Sequence, residues 1–230
     1  MRTVQLILVV TLIFIEICEC KSKYNSYEEV DVPQCQNSST KMNNESRKRI
    51  LLEHNGIRTW VARLQYRINE RRLPYEVYPA ASNMSLMTYD CSLEDSAYDI
   101  AKLCETNSIP NFDYTLSSNV TLQPPFKVDY LFYVMRGWWD SLGIYHLANL
   151  SIRQVDQRKI PFLQMNHDQM DKLGCAYFEC SSPGFPFLSF VCKYGGSDVK
   201  PGTLLYKAGS PCSDCPDDCV DNSLCDYSNK

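Results

Sequence analysis

Twelve cysteines and three histidines are the residues whose chemistry most constrains this chain of 230 residues. Cys18 and Cys20 close an N-terminal apolar segment, and ten cysteines follow it: Cys35, Cys91, Cys104, Cys175, Cys180, Cys192, Cys212, Cys215, Cys219 and Cys225. An even number of cysteines in an exported chain reads as a disulfide framework, whose connectivity does not follow from spacing alone. Cys212-Ser-Asp-Cys215 has redox-motif spacing, but with Cys219 and Cys225 so close it reads as part of a structural knot. A catalytic zinc site needs three protein ligands. His54, His146 and His167 lie in separate segments, so no metal or other cofactor is expected. His167-Asp168 reads as a solvated pair on a short helix with no nucleophile tied to it. There is no Gly-x-Ser-x-Gly elbow, His-Glu-x-x-His pair, phosphate-cradling glycine loop or EF-hand loop. No enzyme activity is expected.

The compartment follows from residues 1–20, read as a signal peptide. Arg2 gives the positive start, Val4–Ile15 is almost wholly apolar, and Glu16 ends the run. A membrane span needs about 20 apolar residues, and this run has the length of a signal h-region. Its removal leaves a net charge of −3 against −4 for the whole chain, with no electrostatic reason to bind nucleic acid. No membrane span is expected further on, and the mature chain is expected to be secreted and extracellular. Five sequons, at Asn37, Asn44, Asn83, Asn119 and Asn149, are candidate glycosylation sites.

The elements that must carry these residues are legible in part. Residues 21–45 read as an extended N-terminal arm pinned by Cys35. Residues 46–195 read as the main domain and 196–230 as a cysteine-rich tail. The spacing of Ile50, His54, Ile57, Val61, Leu64 and Ile68 predicts a helix over 46–69, capped by Ser46. A second helix is predicted over 92–104, with Ser92 and Asp95 as a capping box. Residues 105–125 read as a polar loop. A third helix lies in 126–142, with Leu131, Val134, Met135, Trp138 and Leu142 on its core face. Cys175–Cys180 and Phe187–Tyr194 flank Ser181-Ser182-Pro183-Gly184 as a β-hairpin. Helices first, strands next and a knot last make an α+β class with a mainly antiparallel sheet.

Several motifs then occur in one order: His54-Asn55-Gly56-Ile57-Arg58 with Val61-Ala62, Asn83-Met84, the Asp90–Cys104 helix, Leu173-Gly174-Cys175, Val191-Cys192-Lys193-Tyr194, and Leu205–Pro216. Together they resemble the CAP superfamily of cysteine-rich secretory, antigen 5 and pathogenesis-related proteins. The similarity is greatest to the venom-allergen-like secreted proteins of parasitic nematodes, the branch that includes hookworm neutrophil inhibitors. The resemblance implies a three-layer α-β-α sandwich followed by a cysteine-rich hinge, with Cys212 paired to Cys219 and Cys215 to Cys225.

The family's cleft of two histidines and two glutamates is degenerate under this alignment. Its four places fall at Asn107, Ser118, Ser141 and Pro161, which supply neither the imidazoles nor the carboxylates. A possible sterol loop survives only as Tyr145, Leu147 and Ile152. The resemblance implies an immunomodulatory effector that binds a host cell-surface or extracellular protein, with a leukocyte integrin as one candidate. The alternative is a carrier of a sterol or fatty acid. A basic outer face of the first helix (Arg47, Lys48, Arg58, Arg63, Arg67) is a candidate contact surface.

Overall fold

The computed structural model describes residues 30–36, 38–63, 79–105, 115–120, 129–140, 150–152, 159–181, 186–196 and 199–228. The first helix, α1, runs Asn44–Ala62. Its N-cap is Asn43, whose side chain accepts a hydrogen bond from Ser46 N at 2.8 Å, so Ser46 is the capped residue and not the cap. Strand β1, Thr88–Tyr89, leads into α2, Cys91–Ala101. Here the cap is Asp90, which accepts from Ser92 N and Leu93 N, in place of the expected Ser92–Asp95 box. In both cases the capping carboxylate or amide sits earlier in the chain than the hydroxyl-based reading put it, and satisfies donors the first turn would leave unpaired.

Strand β2, Thr115–Val120, lies inside the segment read as a polar loop. It precedes α3, Asp129–Asp140, so strands and helices interleave and the expected order of helices before strands does not hold. A short helix, α4, spans Ile160–Asn166 with Pro161 in its first turn, where a missing N–H costs nothing. The hairpin is present and longer than its apolar runs: β3 is Met170–Cys180 and β4 is Phe187–Gly196. Strand order in the sheet is β1-β3-β4-β2, with β1 parallel to β3 and the other pairs antiparallel.

Layers form on both faces of this sheet. On one, the main core gathers Ile50, Leu51 and Val61 of α1, Leu131, Met135 and Trp138 of α3, and Phe162, Leu163 and Met165 of α4. Trp138 stacks on Phe190 of β4 with ring centroids 5.3 Å apart. On the other, Ala97 and Ala101 of α2 meet Ala176 and Val191. Gly174 permits that close approach, since a Cβ there would lie 2.2 Å from Glu94 N. The result is the α-β-α sandwich that the resemblance implies.

The segment from Val30 and the cysteine-rich tail both pack onto this body. Val30 and Val32 pack on the main core, and Cys35 bonds Cys91. Cys104–Cys180 and Cys175–Cys192 tie α2 to the hairpin and β3 to β4. The tail forms a two-stranded hairpin, β5 (Cys219–Val220) and β6 (Leu224–Cys225). Cys212–Cys219 and Cys215–Cys225 close it, the pairs implied by the family hinge.

Candidate functional site

Of the four positions to which the resemblance assigns the cleft, Pro161 is buried at the start of α4 and Ser118 belongs to β2. A proline side chain has no donor or acceptor atom, so Pro161 cannot ligate a cation or move a proton. Asn107 and Ser141 lie outside the described residues. So do Tyr145 and Leu147. Ile152 is fully buried, and its backbone N–H donates to Thr203 O while its carbonyl accepts from Gly202 N. Asn44 opens α1 and accepts from Arg47 Nη1 at 3.0 Å; half-buried Asn83 accepts from the Tyr227 hydroxyl; Asn119 lies on β2. Asn37 and Asn149 fall outside the described residues.

Several buried polar groups tie distant segments together. His54 Nδ1–H donates to Ile50 O at 2.8 Å, which leaves Nε2 to accept from Tyr194 OH at 3.1 Å. Burial and, secondarily, the Arg58 charge push its pKa down to about 4, so the imidazole is neutral. Arg58 is also fully buried. Its guanidinium donates to the carbonyls of Ser85, Met165, His167, Asp168 and Met170. Burial lowers its pKa to about 9, opposed by the charges of Asp168 and Asp171. Arg47 is buried against Glu94. The expected basic outer face of α1 is therefore corrected: Arg47 and Arg58 point inward because carboxylate and carbonyl partners from distant segments satisfy them. Arg63 is exposed, and Arg67 lies outside the described residues.

His167 and Asp168 are likewise not a solvated helical pair. They follow the end of α4, are both buried, and have His167 Nδ1 3.6 Å from Asp168 Oδ1. Nδ1 also accepts from Gln169 N, and burial lowers the imidazole pKa to about 4. Burial raises the Asp168 carboxyl, whose Oδ2 accepts from Lys207 N at 3.0 Å and so ties the tail to the domain. Among the described residues the single trio with metal-ligand spacing is Cys212, Cys215 and Cys225. All three sulfurs are in disulfides, so none is a thiolate.

Among the described residues, a groove of about 500 Å³ between α1 and α3 has room for a ligand. Glu53, Gly56, Ile57 and Trp60 form one wall, and Phe132, Met135, Arg136 and Trp139 the other. Trp139 leans on Phe162, with ring centroids 5.2 Å apart. Arg49 covers the Phe132 ring at 4.4 Å and pairs with Asp129 at 3.1 Å. The core stripe of α3 is the expected one at Leu131, Val134, Met135 and Trp138. The groove uses a second stripe, Phe132, Arg136 and Trp139, whose three- and four-residue spacing is in the sequence but had no partner until α1 was placed opposite it.

Known proteins share this architecture. The model of the cysteine-rich secretory protein family, CAP, matches residues 51–194. Hookworm platelet inhibitor 1 of Ancylostoma caninum is 30% identical over 193 residues, 84% of this chain and 83% of that protein. The crystal structure of NaASP2 with Zn2+ has a TM-score of 0.67 at 27% identity and covers 85% of this chain and 100% of that one. The crystal structure of hookworm platelet inhibitor has a TM-score of 0.59 at 25% identity over 85% of this chain and 95% of that one. No helix among the described residues is long and apolar enough to cross a membrane.

Proposed function

Because this chain belongs to the cysteine-rich secretory protein (CAP) family, we propose that it is a secreted, non-enzymatic parasite effector that binds a host cell-surface or extracellular protein. Its similarity to a platelet inhibitor supports that class of partner, and the α1–α3 groove supplies a surface for it. The observation that carries the reading is Trp60. Its side chain stands on the groove rim with the residue 54% exposed, beside an apolar concavity, as an aromatic anchor for an interface would. A glycan at Asn44 would leave this rim open, since sixteen helical residues separate the two positions by about 24 Å. The degenerate cleft fits the same reading: Pro161 brings no acid, base or ligand where the resemblance places a histidine. The test is flow cytometry of the labelled, glycosylated, mature protein on washed platelets and leukocytes. Saturable binding is expected; no binding above a heat-denatured control would overturn the reading.

A second reading rests on the groove's chemistry. A volume of about 500 Å³ suits a single small amphiphile, and Arg136 stands among Ile57, Met135 and Trp139 as the one cation among the described lining residues. A fatty acid could lay its chain along these side chains and its carboxylate on Arg136. Displacement of a fluorescent fatty acid, lost in Trp139→Ala and weakened in Arg136→Gln, tests it; equal binding by all three proteins would refute it.

A further inference from the structure

We propose that the contact surface is bipartite: the Trp60 indole and the Asp221 carboxylate engage one partner protein that sets an apolar pocket beside a fixed positive charge. This rests on the host-binding reading above and names the surface and the partner's chemistry.

Asp221 and Asn222 sit at the tip of the β5–β6 hairpin, both with φ of 51°. Ser223 N donates to Val220 O at 3.1 Å and closes the turn around them. Two consecutive left-handed residues make a type I′ turn, for which Asp and Asn are suited. The tip is fixed twice over. Within the knot, the disulfides of Cys219 and Cys225 flank the turn. Toward α1, Arg63 Nη2 donates to Asp221 O, and Ser223 Oγ lies 3.2 Å from Asp221 O and 3.4 Å from Thr59 Oγ1. The backbone of Asp221 is therefore bound to the last turn of α1, one residue from Trp60. The carboxylate itself is exposed and has no partner among the described residues.

The two groups complement each other. An exposed indole contributes binding energy when a pocket desolvates it. A carboxylate already held by a braced turn loses little freedom on binding, so its charge is not offset by ordering cost. The partner's sign follows from the surroundings. Asp214, Asp217, Asp218, Asp221 and Asp226 lie in the knot, and residues 212–228 hold no Lys or Arg. Lys207 pairs with Asp214 and Arg63 reaches the Asp221 carbonyl, so the acids there still outnumber these two bases. This field draws in a positive surface and repels an acidic one. The positive charge is either a basic side chain or a divalent cation that the partner holds, and a chelator tells them apart.

The experiment uses the full mature glycosylated chain, washed platelets and leukocytes, and the variants Trp60→Ala, Trp60→Phe, Asp221→Asn, Asp221→Glu and, on the far hairpin, Glu179→Gln. Matched thermal midpoints establish that each variant is folded, and Asn tolerates the positive φ of position 221. Trp60→Ala and Asp221→Asn should each weaken binding at least tenfold, with Trp60→Phe and Asp221→Glu retaining part and Glu179→Gln all of it. Wild-type binding abolished by EDTA assigns the charge to a partner-held cation; binding that survives EDTA but falls with salt assigns it to a basic side chain. Wild-type affinity in either Trp60→Ala or Asp221→Asn would overturn the bipartite surface while leaving host-cell binding intact. No wild-type binding to either cell type would instead overturn the host-binding reading, and this surface with it.

Discussion

Arg47 and Glu94 form a two-pronged ion pair inside the protein, with Arg47 Nε 2.7 Å from Glu94 Oε2 and Nη2 2.7 Å from Oε1. The Thr40 hydroxyl donates to Oε1 at 2.6 Å and the Tyr89 hydroxyl to Oε2 at 2.8 Å. One carboxylate thus joins the N-terminal arm, α1 and the start of α2. Its hydrogen bonds raise the Arg47 pKa, and burial followed by the Glu94 charge raises that of Tyr89.

Glu94→Ala should therefore cost about 3–5 kcal/mol, because it strands a buried guanidinium. Arg47→Met combined with Glu94→Leu should cost markedly less than Glu94→Ala alone, because no charge is left without its partner. Urea unfolding at neutral pH measures both. A double variant as unstable as the single one would show that the pair contributes more than the removal of its own desolvation cost.

Acid should loosen the fold through His54. Its folded pKa of about 4 lies below the ordinary 6.5, so the unfolded chain binds the proton first. Stability is then unaffected above pH 6.5, falls as pH drops from 6.5 toward 4, and levels off below 4. The full effect is about 3 kcal/mol, since a difference of one between the folded and unfolded pKa is worth about 1.36 kcal/mol. Urea midpoints of wild type and His54→Gln at about pH 7 and about pH 4.5, either side of most of that fall, check it. A wild-type decline no steeper than the variant's would refute the assignment.

The purified protein should hold no stoichiometric zinc after soaking and dialysis. Pro161 offers no ligand atom, and the closely placed sulfurs of Cys212, Cys215 and Cys225 are in disulfides. Elemental analysis gives the answer. One tightly held zinc per chain, lost on substitution near Ser118, Ser141 and Pro161, would contradict it.

The knot should be a working part of the domain. Cys225 N donates to Met84 O and Leu86 N to Cys225 O, both at 2.8 Å, so the tail pairs with the stretch just before β1. Replacing Cys215 and Cys225 together by Ser should cost about 2–5 kcal/mol. Hydrogen exchange at Leu86 should rise with it. Unchanged protection there would mean that the tail docks without its disulfide.

Sterol binding should be weak or absent. Ile152 is fully buried and bonded through its backbone to the 202–203 segment, so it is not available to a membrane-facing loop. Labelled cholesterol is the probe. Saturable submicromolar binding that disappears in Tyr145→Ala would show the opposite.

What the sequence determined by itself was local or covalent in origin. The apolar period of α1 and α3, the alternating runs of the hairpin and the cysteine framework each arise from neighbours along the chain, and motifs in fixed order pointed to the family. What it left open was decided by partners far away in sequence. Arg58 reads as a solvated charge because its five carbonyl acceptors lie 27 to 112 residues distant. Strand β2 carries no apolar run because an edge strand is held by backbone pairing with β4. The groove needed two helices from well-separated stretches of chain to be set side by side, and the Asp221 turn needed Arg63 and Thr59 to fix it beside Trp60. Periodicity records which face of an element is buried; it holds no record of what lies opposite, and that is where the candidate site was made.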